Sequence, residues 1–220
     1  MRSVRLRFAK IDSARYISHL DLTRCMTRAF RRTDIPLWYT EGFNPHPYLV
    51  FGLSLPLGVE GYRETLDIRL DNDEYPDERV LAELNRVSVP GIRFDEITAP
   101  VHKAAEITSA EYEADIVTDG DGAILAQRMN EIVAAGDVSI EKKNKRKEIK
   151  LLNVCESMKA FSAQATDKGA HLHFILPAGG EFNINPVLFV TKLLSMADAA
   201  DLPYRIARLR FLLPDGTEFR

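Results

Sequence analysis

The feature that most constrains this chain is a switching hydrophobic period. It runs strand, helix, strand, strand, helix, strand within the first hundred residues and then starts again. Residues 2–9 alternate, with Val4, Leu6 and Phe8 on one face and Ser3, Arg5 and Arg7 on the other, the period of a half-buried strand. Ser18 stands three residues before Asp21, which predicts a capped helix start; Leu22, Cys25, Met26, Ala29 and Phe30 follow at helical spacing. Asp34 and Pro36 close that helix, and residues 37–39 read as a short strand. Residues 66–70 alternate again. Pro76 then opens a second helix with Val80, Leu81, Leu84 and Val87 as its stripe, Pro90 and Gly91 stop it, and residues 92–94 begin another strand.

Residues 100–109 read as a connector, after which the pattern restarts. Tyr112, Ala114 and Ile116 alternate, residues 123–133 are amphipathic, and residues 138–140, 149–154, 160–165 and 171–176 are strand candidates. Asn185 and Pro186 start a last helix, and residues 204–212 form a last strand. The repeated order is that of a split βαβ unit. It predicts an α+β protein of two tandem ferredoxin-like halves, residues 1–99 and 110–220, the second with extra strands and each with its helices on one sheet face.

Composition narrows the class. The longest stretch without a charged residue, 42–59, holds Pro45, Pro47 and Pro56, so no spanning helix and no membrane partner is expected. The opening MRSVRLRFAK has no continuous apolar run, and Cys25 and Cys155 are too few and too distant for a disulfide framework or an iron–sulfur cluster. The expected compartment is the reducing cytoplasm. The net charge of −3 hides a strong asymmetry. Residues 1–40 carry nine Lys and Arg against three acids, residues 60–121 carry seventeen acids against six bases, and residues 141–150 return to six bases against two acids. Such blocks suggest a polyanion or an acidic partner on one face.

Two segments could carry function. The first is the loop after the first helix, WYTEGFNPHPY, in which Tyr39, Glu41, Gly42, Phe43, Asn44 and His46 form a candidate binding site; Pro45 and Pro47 bracket His46 and hold it extended. Together with His19 and Asp21 at the helix start, these residues are expected to converge on one pocket. The second is the helix itself. Arg24, Arg28, Arg31 and Arg32 fall at helical spacing opposite the apolar stripe and can track phosphates, with Arg5 and Arg7 adding charge nearby. Lys142, Lys143, Lys145, Arg146 and Lys147 form a second polyanion candidate. His171 and His173 share a strand face, but no third metal ligand accompanies them. No phosphate loop, dinucleotide fingerprint, nucleophile elbow or zincin motif occurs, so no catalytic residue, metal or cofactor is assigned. Cys25, on the apolar stripe, and Cys155 read as inert core thiols.

The strings YISHLDL (16–22), RAFRR (28–32), YTEGFNPHP (39–47), FG (51–52) and LPLGVE (55–60) resemble the radical SAM-linked protein family. That is a bacterial domain of unknown function encoded beside, or fused to, cobalamin-binding radical SAM proteins. The resemblance implies a companion of a radical SAM protein. This chain lacks the three-cysteine cluster motif of such enzymes. The functional expectation is a non-catalytic accessory protein that binds substrate, with RNA the expected class, or the partner enzyme. The alternatives are an RNA-processing or metal-assisted enzyme using His19, His46 and nearby acids, and a pure protein–protein adaptor docking through the acidic 60–121 stretch.

Overall fold

A computed structural model describes residues 1–143, 149–180 and 182–220. It is an α+β structure in which every strand pairing described below is antiparallel. The chain divides into two compact units, residues 1–107 together with 213–220, and residues 108–212.

In the first unit the strands are β1 (Arg2–Lys10), β2 (Leu49–Phe51), β3 (Glu60–Leu70) and β4 (Ile92–Thr98), with helices α1 (His19–Phe30) and α2 (Asp77–Val87). β1 lies between β3 and β4, and β2 pairs with the C-terminal half of β3, giving the order β4-β1-β3-β2. Val4, Leu6 and Phe8 of β1 and Leu66, Ile68 and Leu70 of β3 pack on Leu22, Met26 and Phe30 of α1 and Val80 and Leu84 of α2. The apolar stripes read from the sequence are thus the faces that meet the sheet. Ser18 caps α1, its hydroxyl accepting from the Asp21 amide at 3.2 Å. Gly91 turns the chain from α2 into β4 with φ of +83°, and its carbonyl accepts from the Ile11 amide at 2.8 Å. A Cβ there would come within 2.4 Å of the Ile11 carbonyl, so only glycine fits the turn.

Three expectations are corrected. Residues 37–39 are not a strand: Leu37 and Tyr39 make only isolated bridges, to Leu70 and Pro47, and the strand lies at β2. The chain runs along β3 for two residues, leaves at Tyr39, and rejoins at Leu49, because a loop rich in proline lacks the donors to continue a ladder. β1 is not half-buried but covered on both faces. Arg5 is buried with its guanidinium on Asp67 (2.6 and 2.7 Å) and over the Phe219 ring; Arg7 is buried between Glu96 (2.7 Å) and Glu218 (3.1 Å). These two arginines therefore add nothing to a basic surface. β3 starts at Glu60 rather than at residue 66, since Glu60 and Glu64 are buried acids that period counting treats as solvent-facing.

In the second unit the strands are β5 (Ser109–Val117), β6 (Ser139–Lys143), β7 (Ile149–Asn153), β8 (Ala160–Thr166), β9 (Gly169–Pro177) and β10 (Tyr204–Leu212), with helices α3 (Gly122–Ala134) and α4 (Pro186–Met196). The sheet order is β10-β5-β9-β8, and β6 and β7 form a separate hairpin between α3 and β8. Tyr112 stacks on Phe174 with centroids 5.5 Å apart, and Phe174 meets Phe189 of α4 edge-on at 5.2 Å. Asp121 caps α3 and Asn185 caps α4, with Pro186 in the first turn.

Candidate functional site

Helix α1 is amphipathic, and its apolar stripe is consumed by the sheet. Its outer face is therefore free to hold charge at one-turn spacing. Asp21, Arg24, Cys25, Arg28, Arg31 and Arg32 line a groove of about 600 Å³, with Val89 from the α2–β4 turn completing it. All four arginines are exposed. Arg24 and Arg28 lie one turn apart, about 6 Å along α1 at ~1.5 Å per residue; Arg31 caps the helix end and Arg32 follows in the turn beyond it.

The four are not equivalent. Arg24 pairs with Asp21 at 3.1 Å. Arg32 donates to the carbonyl of Val87, the last residue of α2, where a cation complements the negative helix end. Arg28 and Arg31 make no ion pair among the described residues. Asp21 accepts from the Ser18 hydroxyl at 2.8 Å, and this bond, then Arg24 and Arg28, hold its carboxyl below the ordinary aspartate range. Asp21 thus serves the helix start and bounds the groove at the same time. Cys25 is half-buried and lines the groove between Arg24 and Arg28 instead of lying wholly within the core, a position that its place in the apolar stripe did not signal.

The loop 39–47 is held differently. Tyr39 bridges Pro47, the Thr40 amide donates to the His46 carbonyl at 2.9 Å, and the His46 amide donates to the Thr40 hydroxyl at 3.2 Å. The His46 ring Nδ1 lies 3.1 Å from both that hydroxyl and the Asn44 carbonyl. Arg69 closes the root, its guanidinium 4.2 Å from the Tyr48 ring centroid and 5.2 Å from that of Trp38. Beyond this clasp, residues 41–46 stand in solvent, Gly42 has φ of +124°, and Phe43 is fully exposed. His19, on the first turn of α1, rests its ring edge against Phe51 of β2 at 5.2 Å. Among the described residues no hydrogen bond, ion pair or ring contact joins Glu41, Gly42, Phe43, Asn44 or His46 to His19 or Asp21. The lining of the groove includes no residue of loop 39–47.

Of the second basic block, Lys142 donates to the Asn183 carbonyl at 2.8 Å and sits over the Phe182 ring. Lys143 belongs to β6, and Lys145, Arg146 and Lys147 lie outside the described residues. His171 and His173 each face a carboxylate across the sheet, Asp115 at 2.8 Å and Glu111 at 2.7 Å. Burial pushes the Glu111 carboxyl up, but its bonds with His173 and Arg210 outweigh this and hold it below the ordinary range. No group of three or more His, Cys, Asp or Glu side chains placed to hold a metal ion occurs among the described residues.

A family model described as "uncharacterized protein conserved in bacteria (DUF2344)" matches residues 3–186. No curated protein matches the sequence. Among solved structures, a Cbf5-Nop10-Gar1 complex is similar at 7% identity and a TM-score of 0.44, over 93% of this chain and 48% of that one. This chain therefore spans about half the length of that relative. An unknown protein from Galdieria sulphuraria (8% identity, TM-score 0.28) is similar over 94% of this chain and 98% of its own. A glycine cleavage system transcriptional repressor, so described as putative, is similar at 12% identity and a TM-score of 0.26, over 96% of this chain and 98% of its own.

Proposed function

The chain belongs to the family of uncharacterized proteins conserved in bacteria (DUF2344), and we propose that it is a non-catalytic accessory protein that binds RNA for a radical SAM enzyme in the cytoplasm. The observation that carries the RNA reading is the α1 groove, where Arg28 and Arg31 stand exposed between two further arginines and make no ion pair among the described residues. Guanidinium groups along the second half of α1 and the turn that follows it suit successive phosphates of one strand, and Arg is the side chain best shaped for bidentate phosphate contact. The radical SAM partner is inferred from the motifs in residues 16–60. We also read both units as ferredoxin-like, because each lists its four sheet strands in the order fourth, first, third, second of its βαββαβ series, with the β6–β7 hairpin inserted in the second.

Docking through the acidic stretch is less favoured. Asp67, Asp77, Glu83, Glu96, Glu106, Glu111 and Asp115 are each engaged with a cationic or histidine side chain within their own unit. The RNA reading is tested by fluorescence anisotropy of the full-length protein with an end-labelled single-stranded RNA between 50 and 300 mM salt. Three to four phosphate contacts give a slope of log K on log salt of about −2 to −3, at ~−0.7 per contact. A salt-independent affinity, or no binding in the micromolar range, refutes it.

A further inference from the structure

We infer that loop 39–47 is a docking finger for a protein partner, with Phe43 seated in an apolar pocket of that partner and Glu41 meeting a Lys or Arg at the pocket rim. A single exposed apolar side chain is ordinary and by itself means little. Here the surroundings are built to present it. The Thr40–His46 clasp closes the loop with backbone and side-chain bonds, Pro45 and Pro47 restrict its arms, and Arg69 packs on Trp38 and Tyr48 at its root. Gly42 adopts a positive φ with nothing within 4 Å of where a Cβ would stand, so glycine serves the backbone path there and not a tight contact. An ordered loop holding an aromatic in water has already met the ordering cost that a flexible loop would meet on binding, and aromatics are the side chains that most often anchor protein interfaces.

Charge selects the occupant. From residue 33 to residue 62 there is no Lys or Arg, and within loop 39–47 the one acid is Glu41. A nucleic acid strand would bring phosphates to a finger with no cation beyond its clamped root, whereas a protein pocket with a basic rim gains from Glu41. The inference rests on the loop alone and does not depend on RNA being the ligand of the arginine groove.

The test places the photo-crosslinking residue p-benzoylphenylalanine at position 43 of the full-length protein, and at Val117 as an exposed control, in lysate of the host bacterium treated with RNase. The expected result is one dominant protein adduct, specific to position 43. That protein, once identified and purified, should bind wild type about 10- to 100-fold more tightly than Phe43→Ala, on the scale of an aromatic anchor. Phe43→Trp should restore most of the loss, and Glu41→Lys should weaken binding. Phe43→Ala should melt with wild type and keep the wild-type salt slope for RNA, which separates this inference from the RNA reading. No adduct, an adduct with RNA before RNase treatment, an adduct with a second copy of this chain, equal yield from position 117, or equal affinity of Phe43→Ala would each overturn it.

Discussion

Replacing Arg28 and Arg31 together with alanine isolates the electrostatics of the groove from the fold. Neither side chain has an acidic partner among the described residues, and alanine is the best helix former, so α1 should persist. Surface changes of this kind stay within roughly ±0.5 kcal/mol, which for a chain of this size moves Tm by only about 1–2 °C. The effect on RNA should be much larger. If each arginine neutralises one phosphate, the slope of log K on log salt becomes less steep by about 1.4. Over a threefold rise in salt, wild type with four contacts then loses about 20-fold in affinity and the double variant only about 5-fold. Arg32→Ala serves as the contrast. It removes the bond to the Val87 carbonyl at the end of α2, so it should lower both the slope and Tm. Anisotropy titrations at four salt concentrations beside thermal melts read both quantities. An unchanged slope in the double variant, with RNA still bound, would show that the strand lies elsewhere and that the groove is not its track.

Arg7→Met should destabilise by about 1.5–3 kcal/mol in urea unfolding, because it removes the buried one of the two arginines, Arg7 and Arg63, that bridge Glu96 and the largely buried Glu218; a loss under about 1 kcal/mol would mean that the Arg7 pairs are effectively solvated. Glu111 has a folded-state pKa lowered from 4.5, so its contribution to stability is present above that value and is lost as pH falls through the lowered one. Glu111→Gln should therefore flatten the acid limb of Tm as pH falls below the ordinary glutamate range, and an unchanged limb would refute the network with His173 and Arg210.

The helices were legible because their signals are local. Ser18 and Asn185 each satisfy an amide within three residues, and the stripes Leu22–Met26–Phe30 and Val80–Leu84 need only one apolar face below them. What escaped was everything set by partners distant in sequence. Arg5 and Arg7 alternate like solvent-facing residues, yet Asp67, Glu96 and Glu218 bury them as ion pairs. Period counting cannot distinguish a charged face in water from a charged face matched by another strand. The position of β2 was hidden for a related reason. Residues 37–38 and 49–51 form one line along β3, and residues 39–48 branch away from it, so no continuous window holds the alternation.

The same distinction bears on where the two candidate features sit. Pairing a charge internally removes it from the surface, and Asp67, Glu83, Glu96, Glu111 and Asp115 pair within their own unit. α1 departs from this at Arg28 and Arg31, although acids are abundant and α2 lies beside it. Arg79 of α2 takes Glu83 at 2.9 Å and reaches Asp34, while Arg32 is satisfied by a carbonyl. Glu83 also accepts from Tyr75 and from the Asp34 amide, and these bonds hold its carboxyl low and its capacity filled. The nearby acid of α2 is thus occupied before Arg28 or Arg31 could use it. An arrangement selected only for stability would gain a few tenths of a kcal/mol from each surface pair it completed. Leaving two guanidinium groups open in a groove forgoes that small gain, and the proposed phosphate binding, which depends strongly on such groups, would outweigh it.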